Sequence, residues 1–112
     1  MVSREKELFK QLLEKTQTGK IQWEPTAKAD EFVTTLAGKY TFTVGSYQHD
    51  YELQTLVVMR DDTDRYMMTI SPAVGEVTRL DLDQLHAEAR KAALKVDESI
   101  DQVLADLKQI QG

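Results

Sequence analysis

Between residues 21 and 70 the apolar side chains recur at every second position, and on either flank they recur every third or fourth. The first flank, residues 3 to 18, reads as a helix. Ser3 is placed to cap it, and Glu5 and Glu7 fall where the helix dipole favours negative charge. Leu8, Phe9, Leu12 and Leu13 form one apolar face, and Gly19 is suited to a left-handed termination. The period then changes to two. Ile21 alternates with Gln22 and Trp23 with Glu24, followed by runs centred on Phe32–Leu36, Tyr40–Val44, Tyr51–Met59 and Tyr66–Ile70. Turn-forming stretches separate them: "AGK" at 37 to 39, "GSYQHD" at 45 to 50 and "DDTD" at 61 to 64. Loops so short join antiparallel neighbours, which predicts a meander of four or five strands ended by the turn "SPAVGEV".

The helical period resumes after residue 80. Asp81 with Gln84 fits a capping box, and Leu80 with Leu85 fits its hydrophobic staple. Apolar positions then run from Leu82 to Ile110. As one rod of ~29 residues this would measure about 43 Å, too long for a domain whose radius of gyration should be about 13 Å. A break at Val96–Asp97, with Asp97 capping a second helix, resolves the misfit, although neither Gly nor Pro enforces it. The prediction is a single α+β domain over residues 1–112: an N-terminal helix, an antiparallel meander, and one long broken or two C-terminal helices packed on the sheet.

Composition narrows the functions open to such a domain. The chain has no cysteine, which removes disulfides, thiolate metal sites and thiol catalysis. Its net charge is −5, and residues 57 to 112 hold seven Lys/Arg against eleven Asp/Glu. Nucleic-acid binding calls for a basic stripe, and none is visible. No segment has the ~20 apolar residues needed to span a bilayer, and the first residues lack the apolar core of a signal peptide. The expectation is a cytoplasmic protein with neither nucleic acid nor membrane as partner.

Candidate chemistry is sparse. His86 and Glu88 are two residues apart on a helix and do not face each other, whereas metal ligands on one helix want spacings of three or four. His49 and Asp50 stand in a turn, where backbone preference accounts for both. "DDTDRY" begins like a calcium loop but lacks its glycine and its closing glutamate. There is no GxSxG elbow and no phosphate-cradling glycine loop. No catalytic residue, cofactor or metal site is assigned. Trp23, the only tryptophan, is either an exposed aromatic platform or a peg between the first helix and the sheet. Its alternation with Ile21 and the apolar face before it favour the peg.

The strand "LQTLVVMR" is more informative. Leu53, Val57 and Met59 share the core face with Tyr51, yet Leu56 and Val58 point the other way, as do Val33 and Met67 in their own strands. A solvated sheet face should be polar. Val33, Leu56, Val58 and Met67 therefore need a cover, supplied either by a helix of this chain or by another protein. Two functions follow. One is a protein-interaction module, homodimeric or serving a larger partner, which the acidic amphipathic C-terminal helix also favours. The other is a ligand-binding protein or minor enzyme with a helix–sheet pocket lined by Tyr40, Tyr51 and Tyr66.

The stretches "LLEKTQTGKIQWEPT", "EFVTTLAGKYTF" and "LHAEARKAALKVDESIDQVLADL" resemble a loose group of small bacterial proteins of uncharacterised function. These combine a helix, a Gly-Lys-hydrophobic-x-Trp segment, a small sheet and an Ala-rich ending with a Val-Asp-Glu-x-Ile-Asp element. The resemblance implies the same fold and a bacterial cytoplasmic setting, and carries no activity or site residue.

Overall fold

The first helix, α1 (Arg4–Gln17), begins where Ser3 accepts a hydrogen bond from the Lys6 amide at 3.2 Å, relieving one of the donors that a helix start leaves unpaired. It ends in a complete Schellman turn. Gly19 takes φ +74° and donates to the Thr16 carbonyl, while Lys20 donates to Lys15. This is a computed structural model, and it describes residues 3–49, 51–72 and 77–110. The His49 side chain, Asp50 and residues 73–76 of the expected turn after Ile70 lie outside the described residues.

Five strands follow: β1 (Glu24–Pro25), β2 (Phe32–Leu36), β3 (Tyr40–His49), β4 (Glu52–Arg60) and β5 (Tyr66–Ile70). They form one antiparallel sheet whose spatial order is the chain order. Pro25, which has no N–H to give, sits in the edge strand where the ladder can spare it. The segment "GSYQH", expected to be a turn, instead continues β3 to its pairing of His49 with Glu52. Its polar residues read as a loop. They are strand residues at the end of a long hairpin that runs beyond the helical cover: Thr55 and Val57 are buried, but Leu53 is 64% exposed and Tyr51 97%.

Helix α2 (Arg79–Leu94) closes one face of the sheet. Its capping box is one turn earlier than the sequence suggests, with Thr78 as N-cap and Asp81 as the third helical residue. The Asp81 amide donates to the Thr78 hydroxyl and the Thr78 amide donates to the Asp81 carboxylate, both at 3.1 Å. Leu80 lies in the first turn and is 80% exposed, so it staples nothing. Leu82, Leu85 and Ala89 are fully buried against Phe32, Phe42, Val44, Val57 and Ile70, with Phe9 and Leu12 of α1 in the same core. Polar ties fix the helix in place. Thr55 donates to Asp83 at 2.7 Å, and Arg79 donates to the Leu53 carbonyl at 2.9 Å.

Trp23 is the peg. It is 2% exposed, and its indole Nε1 donates to Thr16 Oγ1 at 2.9 Å, while that hydroxyl donates to the Leu12 carbonyl at 2.6 Å. The ring thus joins the sheet's first edge to the last turn of α1.

The C-terminal segment is two helices. The chain breaks at Lys95, with φ 51°, and α3 (Val96–Gln109) starts afresh. A left-handed residue carrying a side chain costs about 1–3 kcal/mol. Asp97 lies in the first turn of α3 rather than at the cap, and no side chain caps this helix. None of its residues is buried. The molecule measures 58 × 35 × 31 Å with a radius of gyration of 16.2 Å, well above the ~13 Å of a compact chain of this length.

Candidate interaction surfaces

Both α1 and α2 lie on the core face of the sheet, because their buried partners are the residues of Phe32, Phe42 and Val57 parity. The opposite face carries Val33, Thr43, Val58 and Thr69 in one cross-strand row, and Gly45 beside Leu56 in the next. Leu56 and Val58 are neighbours along β4. Val33 is separated from Val58 by Thr43, and Met67 is the extra residue of a β-bulge, without a cross-strand partner. Val33, Leu56 and Val58 are half-buried and Met67 is 49% exposed. The four residues share no continuous patch, being divided by threonines and by the bulge.

Part of this face is covered by a polar cluster. Tyr47 donates to Glu31 Oε2 at 2.7 Å, Thr26 donates to Glu31 Oε1 at 2.9 Å, and Lys28 Nζ stands 4.3 Å from the centre of the Tyr47 ring. Burial, then the bond to Glu31, pushes the Tyr47 hydroxyl up to about 12. Gly45 makes room for this pair, since a β-carbon there would come within 3.3 Å of Glu31 Cγ.

The three tyrosines proposed for a pocket are not brought together. Tyr40 begins β3 opposite Leu36, and Tyr51 stands in the turn at the strand's far end. Tyr66 pairs with Arg60 across the bulge and meets Thr69 at 2.9 Å, on the face away from the core. Alternation alone put Tyr66 with Met68, and the bulge reverses it. A cleft of about 490 Å³ instead lies among helix ends, between Gln17, Gly19 and Ile21 on one side and Lys91, Lys95 and Glu98 on the other.

His86 and Asp61 serve as structural ties. His86 Nε2 donates to the Asp30 carbonyl at 2.7 Å and its ring packs 5.7 Å from that of Phe32, tying α2 to the loop before β2. Asp61 is held well below the usual carboxylate range, first by the Arg65 amide and then by the Thr63 hydroxyl. Its oxygens accept from donors of its own turn, Thr63 at 2.7 Å and Arg65 at 2.9 Å, which is a hairpin lock rather than a cation loop. Among the described residues no group of three or more His, Asp or Glu is arranged to hold a metal ion, and no helix is long and apolar enough to cross a membrane.

The surface that sequence reasoning undervalued is α3. Ile100, Val103, Leu104 and Leu107 are each more than half exposed, and Ile110 is 70% exposed. Leu94 at the end of α2, with Val96, Ile100, Val103 and Leu104, borders an apolar groove of about 390 Å³. The signal was present in the regular apolar spacing, but that spacing looks the same whether the cover comes from the chain's own sheet or from elsewhere. No protein-family model, curated protein or solved structure matches this chain.

Proposed function

We propose that this chain is a small protein-interaction module of the bacterial cytoplasm whose docking element is α3. The observation that carries the reading is an amphipathic helix of 14 residues with an apolar stripe and no buried residue. Helices of this length are marginal in water by themselves and gain most of their stability by packing that stripe. Contiguous exposed apolar surface of this kind marks association. The acidic flank of Asp97, Glu98, Asp101 and Asp106 keeps the free helix soluble. The half-exposed strip of Leu56 and Val58 is a secondary contact area. A ligand pocket built on Tyr40, Tyr51 and Tyr66 has less support, since these residues stand in three separate places. The test is Val103→Lys with Leu107→Lys in the full chain. The thermal melt of the sheet and of α2 stays as in wild type while association, with itself or with a purified partner, is lost. A variant that keeps all association would refute the role of α3.

A further inference from the structure

We propose that the occupant of the α3 stripe is a second copy of this chain, its α3 packed antiparallel to the first about a two-fold axis; this rests on α3 being the docking element. Val96, Ile100, Val103, Leu107 and Ile110 follow one another at intervals of four, three, four and three. That is a coiled-coil seam, whose natural complement is another helix of the same period. Area supports a self-complementary pair. From Leu94, 41% exposed, to Ile110, 70% exposed, the stripe is open to water. It offers on the order of 500 Å² per chain, so a pair buries about 1,000 Å², the threshold for a specific interface.

Charge selects the direction. The first turn of α3 is acidic, with Asp97 and Glu98, and its last turn carries Lys108. Parallel pairing would set the two acidic turns side by side and align the helix dipoles. Antiparallel pairing sets each acidic turn next to the other copy's Lys108 and opposes the dipoles. The register that fits places Ile100 against Val103 and Val96 against Leu107 of the second copy. It leaves Asp106 opposite Ser99 and Asp97 opposite Leu104, with no like charges facing. It also brings Ile110 of each copy to the groove beside Leu94 of the other.

The absence of cysteine makes the test clean, because any thiol introduced is the only one. Sedimentation of the full chain gives a dimer, and Ile100→Asp with Leu107→Asp weakens it by roughly 100-fold or more, because each carboxylate would lose its water in the seam. The melt of the domain is unchanged, since neither side chain belongs to its core. Under oxidation, Val96→Cys and Leu107→Cys chains cross-link with each other in a mixture, and neither links efficiently with itself. Leu107→Cys linking mainly to itself would overturn the antiparallel pairing. A wild-type monomer at millimolar concentration would overturn the self-pairing altogether. In that monomer, helical NMR shifts over 96–109 would leave α3 as a docking element for a foreign protein, and coil shifts would remove that reading too.

Discussion

Removing the indole of Trp23 should cost more than any other single truncation on the sheet's first edge. The side chain is 2% exposed, and burying a ring of this size takes 150–250 Å² from water, about 4–6 kcal/mol as an upper value. Trp23→Ala should therefore destabilise by about 3–5 kcal/mol, from a total of about 6–17 kcal/mol for a chain this long. The hydrogen bond can be separated from the packing. Thr16→Val leaves a buried indole N–H without its acceptor, worth about 1–3 kcal/mol. Trp23→Phe leaves the Thr16 hydroxyl still donating to the Leu12 carbonyl, so on the polar side it loses only about 1 kcal/mol. The double variant no longer holds an orphaned donor, and its cost should fall short of the sum by about 1–2 kcal/mol. Urea unfolding followed by circular dichroism measures the wild type and all four variants without relying on the fluorophore. A difference of 2 kcal/mol moves the midpoint by about 1 M. Costs that add to within ~0.5 kcal/mol would mean that the indole and the hydroxyl do not interact, and an unchanged midpoint for Trp23→Ala would refute the peg itself.

Asp81→Ala should destabilise by about 0.5–2 kcal/mol, because it opens the capping box of α2, and Thr78→Ala should cost about as much; chemical denaturation reads both. Tyr47 should ionise near pH 12 in an absorbance titration of the folded protein, and Tyr47→Phe should remove that step. Its folded value lies above the ordinary 10. The contribution to stability is accordingly complete below pH ~10 and lost as the pH rises from there towards 12. Leu56→Lys should leave the thermal melt within a few degrees of wild type, because among the described residues no helix lies over that face; an unfolded Leu56→Lys protein would show that the face is covered.

Much of this architecture was legible because local signals and burial agree. Ser3 and Gly19 bound α1 with the geometry their chemistry dictates, and Ile21 and Trp23 enter the core together. Legibility ends where one residue shifts a period. Met67 is inserted into an alternating run, and every inference about Tyr66 reverses with it. The helix start was misjudged by one turn because Asp81 is chemically suited to both the cap and the third position, and only Thr78 distinguishes them. Lys95 leaves no mark in the sequence, since a lysine in a left-handed conformation is held there by its surroundings. The apolar stripe of α3 was visible, but a pattern states that a surface wants cover and does not state whose.

The chain-ordered sheet also shapes how the protein folds. Each strand pairs with its neighbour in sequence, so the meander assembles by closing short loops, at small entropic cost and correspondingly fast. The contact of α1 with α2 is different in kind, because it joins segments from either side of the meander in sequence. It closes the longest loop, and costs least once the meander between them is ordered. Substitutions in the β3–β4 hairpin should then slow folding, whereas those in the α1–α2 seam should mainly hasten unfolding. The seam, more than the sheet, would set how long the folded state survives once formed.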